Sequence, residues 1–316
     1  LNEEQKLILL VSLSYRLKTP YALKSFIEVI LSRSPIKVEE RVDAIDICGT
    51  GGSGLPRLNT STLSALLLSS KGQCIVKHGN KAASGRFGSF DLLESLGLDL
   101  KMDLNQQIAA LEESHLAFLY APTIHPVMGS MAQSRTTMGV PTIFNLMGPL
   151  LNPFQPECQL IGTAFENYME LLFETAILLG KKHVVVLRSA DGLDEISVSG
   201  PTDVLEYKDG QRLSYTLNPG DFGLEPIPLQ DVLMPKGGAK AEAERFLAGE
   251  NHHPSHELVL VNAAFAYSKF HKHLPLHEAY QIMREAYQNG EALSHFNQYL
   301  EIIGSTSKMK DYARIG

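Results

Sequence analysis

The 316-residue sequence has no tryptophan, only three cysteines, and no apolar run approaching the length of a membrane span. Cys48, Cys74 and Cys158 are odd in number, far apart and set among apolar residues. That excludes a disulfide framework and reads as reduced core thiols in a cytoplasmic protein. Apolar stretches such as 8–11 and 65–68 suffice for core segments but not for a transmembrane helix, and no signal-peptide pattern opens the chain. Positive charge is also short, with 28 Lys and Arg against 35 Asp and Glu and a formal net charge of −7. No global basic field draws in nucleic acid or an anionic membrane, although a local anion pocket is compatible with this balance. What is present is ordinary globular composition, 44% hydrophobic and 20% charged, which excludes collagen, coiled coil and disorder. The length fits one large α/β unit, or a large domain with a small companion.

Helical periodicity opens the chain over 3–17 and 21–31, divided by Pro20. A β-rich run, 42–48, then feeds a cluster of glycines, and a helix is expected from about Asn59-Thr60-Ser61, where cap residues stand. A strand over 73–76, a polar loop over 77–88 and a helix over 89–96 ending at Gly97 repeat the pattern. A helix over 104–114, a strand over 116–120 and a helix over 126–138 continue it, so a mostly parallel sheet covered on both faces is predicted. Residues 184–187 read as a buried parallel strand, 196–207 as a hairpin around Gly200-Pro201, and the chain from Ala239 onward as mainly helical.

The segment Asp46-Ile-Cys-Gly-Thr-Gly-Gly-Ser-Gly54 contains a literal G-x-G-x-x-G after a predicted strand. A dinucleotide fingerprint runs straight into a helix and carries an acid about 20 residues on. Here Leu55-Pro56-Arg57 intervenes and no carboxylate lies near Cys74. A P-loop is excluded too, because Gly-Lys-[Ser/Thr] is missing. What remains is either a tight glycine turn or a loop whose free N–H groups, with a helix N-terminus beyond, hold an anion. The loop after the next strand carries Lys77, His78, Asn80, Lys81, Ser84, Arg86 and Ser89. Loops leaving the C-terminal ends of neighbouring parallel strands face one crevice, so these groups are expected opposite the glycines. Asp194-Glu195 follows the buried strand at 184–187; it is either a solvated acidic turn or an oxygen site for Mg²⁺. The histidines at 252, 253, 256, 271, 273 and 277 have irregular spacing and no His-Glu-x-x-His pattern.

Taken together, Asp46 to Gly54, Asn59-x-Ser-Thr62, Lys77-His-Gly-Asn80, Gly88-Ser89 with Asp91-Leu-Leu-Glu94, His125-Pro126, Phe144-Asn-Leu-x-Gly-Pro149 and Gly192-Leu-Asp-Glu-Ile196 resemble the anthranilate phosphoribosyltransferase family in order and spacing. Asn262-Ala-Ala264 extends the resemblance toward the C-terminus. It implies an α/β fold with a small helical domain and a large α/β domain with a mostly parallel central sheet. The helical domain would comprise 1–40 with an inserted segment about 130–150, the α/β domain 41–129 and 151–316, with a helical hairpin of the family preceding Leu1. The resemblance further implies a cytoplasmic homodimer formed through the helical domain. The reaction would transfer the phosphoribosyl group from phosphoribosyl pyrophosphate to anthranilate, in tryptophan biosynthesis. Gly49, Gly52, Ser53, Arg57, Asn59, Ser61, Thr62, Lys77, Ser84 and Ser89 would bind the donor. Gly49, His78, Asn80 and Arg135 would bind anthranilate, with Arg135 nearest its carboxylate. Ser61, Asp194 and Glu195 would hold Mg²⁺, and no residue is assigned as general acid or base.

The chain departs from the family pattern at four places. Ser53 stands where an Asp is usual, Arg57 where Thr is common, Ala82 where Ser is usual, and Gly129 where a basic residue normally follows His-Pro-x-Met. An acid lost and a cation gained beside the pyrophosphate lead us to expect Arg57 on the phosphate oxygens and a weakened second metal position. Two alternatives remain: a nucleoside phosphorylase on the same fold, and a non-catalytic nucleic-acid-binding relative.

Overall fold

The computed structural model describes residues 1–35, 42–81, 87–101, 104–140, 142–234, 238–250, 252–305 and 308. Seven strands form one sheet in the order β3-β2-β1-β4-β5-β6-β7. They are β1 (Ile45–Gly49), β2 (Ile75–Gly79), β3 (Leu116–Tyr120), β4 (Cys158–Gly162), β5 (His183–Ser189), β6 (Thr202–Lys208) and β7 (Gln211–Leu217). β1 to β5 run parallel, and β6 and β7 close the edge antiparallel. The expected mixed α/β architecture with a mostly parallel sheet is therefore present.

Side-chain alternation separates the two larger of three core clusters. Ile45, Ile47, Val185 and Leu187 face the C-terminal helices on one side, packing with Leu63, Leu66, Phe265 and Phe296. Cys48, Ile161, Val184 and Val186 face the N-terminal helices α1 (Glu3–Arg16) and α2 (Pro20–Ser32) on the other, with Leu10, Leu23, Ile27, Phe144 and Met147. β5 is buried on both faces, which is why it reads as an unbroken valine run. No helix among the described residues is long and apolar enough to cross a membrane, and the three cysteines are free thiols.

Three expectations about local structure fail. The polar loop expected from residue 77 starts later, because Lys77, His78 and Gly79 continue β2. No hairpin turns at Gly200-Pro201; the hairpin pairs β6 with β7 around Asp209-Gly210. Both of those residues have positive φ, 50° and 83°, which matches the right-handed twist of the flanking strands. The helix expected over 126–138 is broken into Pro126–Gly129 and Ala132–Met138, and its second half ends at Gly139, which has φ 63°.

Among the C-terminal histidines, His256 is fully buried, with Nε2 2.9 Å from Glu242 Oε1 and Nδ1 2.9 Å from the Tyr287 hydroxyl. Burial holds this imidazole below its ordinary value of 6.5, against the pull of Glu242. The unfolded chain therefore takes up a proton first as pH falls. His256 contributes its full stability above 6.5 and loses it progressively below. We expect His256→Gln to flatten the pH dependence of unfolding free energy below pH 6.5, by up to about 1.4 kcal/mol per pH unit. Urea melts at several pH values check this; parallel curves for parent and variant would remove His256 as the responsible group.

Candidate active site

The C-terminal ends of β1, β2 and β4 open into one crevice, as adjacent parallel strands dictate. From β1 the chain enters the glycine loop, where Gly51, Gly52 and Gly54 have φ of 70°, 94° and 75°. These are left-handed conformations that glycine adopts without penalty. A side chain at Gly52 would also meet the Phe165 ring at 2.7 Å. The loop then leads into helix α3 (Thr60–Ser70). Asn59 stands before this helix but makes no capping bond; its amide donates instead to the Phe87 carbonyl at 3.1 Å, tying the glycine loop to the loop after β2.

The acidic turn after β5 lies directly over the ends of β1 and β4. Gly51 N–H donates to Asp194 Oδ2 at 2.7 Å, and a β-carbon at Gly49 or Gly162 would fall on Asp194 itself. Asp191 braces the turn by accepting from the Ser189 hydroxyl at 2.8 Å and from Leu193 N–H at 3.1 Å. Behind it Asn262 makes two bonds to Ile196, accepting from its N–H and donating to its carbonyl, each at 3.0 Å. Sequence reasoning noted Asn262 without giving it a role; the structure makes it the clamp of this turn.

Arg57 reaches across the crevice. Its Nη1 donates to Ser53 Oγ at 2.7 Å, its Nη2 pairs with Asp194 Oδ1, and its Nε lies 2.7 Å from Glu195 Oε1. Burial, together with the neighbouring Asp194, holds Glu195 up at about 7 despite the pull of Arg57. Both oxygens of Asp194 are thereby engaged by protein donors, while Glu195 Oε1 is held by charge against Arg57 Nε without a hydrogen bond. As arranged, Asp194 does not fit as a ligand of a resident divalent ion, which requires these same oxygens in its own coordination shell. No group of three or more His, Cys, Asp or Glu suited to a metal occurs among the described residues.

Lys77 is buried on β2 and donates to the Ile47 carbonyl at 2.6 Å and to Ser61 Oγ at 3.0 Å. Its ammonium is pushed down by burial and partly restored by Asp46 on the neighbouring strand. Ser89 Oγ donates to the Asn80 carbonyl at 3.1 Å, and the Asn80 side chain accepts from Lys81 N–H at 2.7 Å. Ser84 and Ala82 lie outside the described residues. Asn59 Oδ1 and Thr62 Oγ1 are buried without a hydrogen-bond partner among the described residues, so polar capacity remains at the start of α3.

His78 and His125 form an edge-to-face pair with ring centroids 5.3 Å apart. His125 Nε2 lies 2.7 Å from the Leu151 carbonyl, and His78 bonds the Gly148 backbone. A carbonyl only accepts, so each ring spends its N–H there and keeps a bare nitrogen, His78 Nε2 and His125 Nδ1, both buried and unpaired among the described residues. Burial above all drives His78 down to about 3 and lowers His125 as well. His125 was named in a sequence motif but not among the site residues; its partnership with His78 depends on the 148–151 turn between them. That turn continues the short helix Ile143–Met147, whose Phe144 ring lies under Arg135 at 5.9 Å. Among the described residues Arg135 makes no hydrogen bond or ion pair with the glycine loop. It joins the histidine pair through Phe144 and this turn, and no carboxylate pairs with it among the described residues.

The comparisons with known proteins agree with this fold. Residues 41–293 match the family described as "Glycosyl transferase family, a/b domain". The anthranilate phosphoribosyltransferase of Bacillus subtilis (strain 168) is 39% identical over 229 residues, which is 72% of this chain and 68% of that protein. The crystal structure of the enzyme of that name from Thermus thermophilus superposes with a TM-score of 0.86 at 33% identity, covering 96% of this chain and 91% of the other. The Saccharomyces cerevisiae enzyme, solved in complex with PRPP (phosphoribosyl pyrophosphate) and Mg, gives a TM-score of 0.82 at 27% identity over 93% of this chain and 84% of that one. With a relative 39% identical over 72% of the chain and the whole fold shared with solved structures of that name, the chain belongs to the anthranilate phosphoribosyltransferase family.

Proposed function

We propose that the protein transfers the phosphoribosyl group of phosphoribosyl pyrophosphate to the amine of anthranilate, giving N-(5-phosphoribosyl)anthranilate and pyrophosphate, as a step of tryptophan biosynthesis. The observation that carries this reading is the Gly51–Asp194 hydrogen bond of 2.7 Å. It joins the anion loop to the acidic turn, 143 residues later in the chain, at the mouth of the sheet.

In the reaction the C1–O bond to pyrophosphate breaks while the amine nitrogen bonds C1, and the surplus amine proton leaves to solvent. Negative charge gathers on the departing pyrophosphate. The glycine-loop N–H groups, the N-terminus of α3 and the Ser61 and Thr62 hydroxyls suit that charge. Gly49, Gly52, Ser53, Asn59, Lys77, Ser84 and Ser89 complete the donor half of the proposal. The acceptor half consists of Gly49, Asn80, His78 and Arg135. An aryl amine is neutral at pH 7, so it needs positioning more than deprotonation. The bare nitrogen of His78, far too weak a base at about 3, suits accepting an N–H hydrogen bond and not removing the proton. Mg²⁺ is proposed to accompany the donor, in keeping with the yeast relative, without Asp194 and Glu195 as its ligands.

We also propose two units, helical residues 1–40 with about 130–150, and α/β residues 41–129 with 151–316. Contacts between α1 and Ala132–Met138 support the first grouping. Ile8, Val11, Tyr15, Tyr21 and Val29 of α1 and α2 are exposed, a face suited to a homodimer. The free thiols support a cytoplasmic setting, and the net charge of −7 favours small anionic substrates in a local pocket over nucleic acid or membrane.

The test is phosphoribosyl pyrophosphate-dependent loss of anthranilate fluorescence with purified protein. Turnover is the expected result. No product at high enzyme concentration, together with phosphate-dependent nucleoside cleavage, would replace this reading with the phosphorylase.

A further inference from the structure

Two of the departures from the family pattern, Ser53 and Arg57, meet in the structure through a 2.7 Å hydrogen bond from the guanidinium to the hydroxyl. The remainder of the guanidinium lies against the acidic turn, on Asp194 Oδ1 and 2.7 Å from Glu195 Oε1. The two carboxylates are nearly inaccessible, with side-chain exposures of 3% and 8%. The backbone holds Arg57 in this pose from both sides: Pro56 accepts from Met234 N–H at 2.8 Å, and Leu58 is buried. Arg57 is therefore a built part of the turn and not a surface side chain resting on it.

We propose that Arg57 is the resident counter-cation of the acidic turn, a guanidinium filling the seat that a divalent ion would need at Asp194 and Glu195. Three features support it. A planar fork with fixed donors matches two adjacent carboxylates as a small octahedral ion does not. Ser53 is uncharged, so no acid in the glycine loop competes for the guanidinium. Two bare buried carboxylates would repel a polyanionic donor across the crevice, and Arg57 removes that repulsion without a metal. The consequence for donor binding rests on the transferase reading above; the identity of the cation on the acidic turn does not.

The test uses the full chain without any donor. Mn²⁺ is titrated by electron paramagnetic resonance into the parent, Arg57→Thr, and Arg57→Thr with Asp194→Asn. The parent is expected to fill no site below about 1 mM free Mn²⁺, while Arg57→Thr gains one site at least about tenfold tighter that the second substitution abolishes. A stoichiometric Mn²⁺ site in the parent that Asp194→Asn removes would overturn the proposal, even if Arg57→Thr proved unable to fold. A folded Arg57→Thr that gains no site would overturn it as well. Calorimetry with phosphoribosyl pyrophosphate adds a second readout. Arg57→Thr should bind the donor about ten- to hundredfold more weakly in EDTA and recover most of that loss in Mg²⁺. An equal loss in both conditions would mean that Arg57 contacts the donor directly. If the parent binds no donor in either condition, the transferase reading falls, and the Mn²⁺ titration still decides the role of Arg57.

Discussion

Arg135→Ala should raise the KM for anthranilate about ten- to hundredfold, corresponding to the roughly 1.5–3 kcal/mol of a charge-assisted hydrogen bond to a carboxylate. The KM for phosphoribosyl pyrophosphate should barely move. The cause is an unbalanced charge. The Arg135 guanidinium is half-buried over the Phe144 ring, 5.9 Å away, and burial lowers its pKa. An arginine stays protonated even so, and no acid compensates it among the described residues. A carboxylate arriving from solvent would recover the desolvation cost, and the aromatic floor under Arg135 fixes where it binds. Arg135→Lys keeps the charge but loses the planar fork, so it should recover only part of the affinity. Steady-state kinetics in both substrates checks this. If both KM values rise equally, Arg135 organises the packing around Phe144 and does not receive the acceptor.

The second large effect is expected at Gly162, the last residue of β4. A β-carbon there would fall on the Asp194 carbonyl and lie 3.2 Å from Glu195 N. Those are backbone atoms and cannot rotate aside, so the acidic turn must lift. Gly162→Ala should cost about 1–3 kcal/mol of stability by overpacking. Displacing the turn by even about 1 Å should lower kcat/KM on the order of a hundredfold. Gly148→Ala is the matched control: its β-carbon would meet nothing within 4 Å, and its φ of −44° suits any residue, so its effect should stay within about 0.5 kcal/mol. Thermal melts and kcat/KM on both variants decide the matter. Similar behaviour of the two would mean the turn accommodates the methyl group and that its close seat over β4 is not needed.

Several elements were legible because their signals are local. The helix Leu104–Ser114 and strand Leu116–Tyr120 begin and end where periodicity set them, and the helix Ser89–Leu96 stops at Gly97, whose φ is 123°. The glycine loop was readable as a tight loop between strand and helix because three of its glycines take conformations that other residues avoid. The family motifs likewise brought the acidic turn and the loop after β2 to the same crevice, since ordering on a parallel sheet fixes where loops emerge. Tertiary structure alone decided what those residues touch. β4 is only five residues long, and its pairing with β1 is non-local, so it escaped periodicity. Yet β4 brings the end of β5 close enough for Asp194 to reach Gly51. Arg57 looked like a phosphate ligand from its neighbours in sequence. Its partner Asp194 stands 137 residues away and becomes visible only when β1, β4 and β5 lie side by side. A charged side chain settles on the nearest opposite charge in space, and sequence spacing carries no record of that distance.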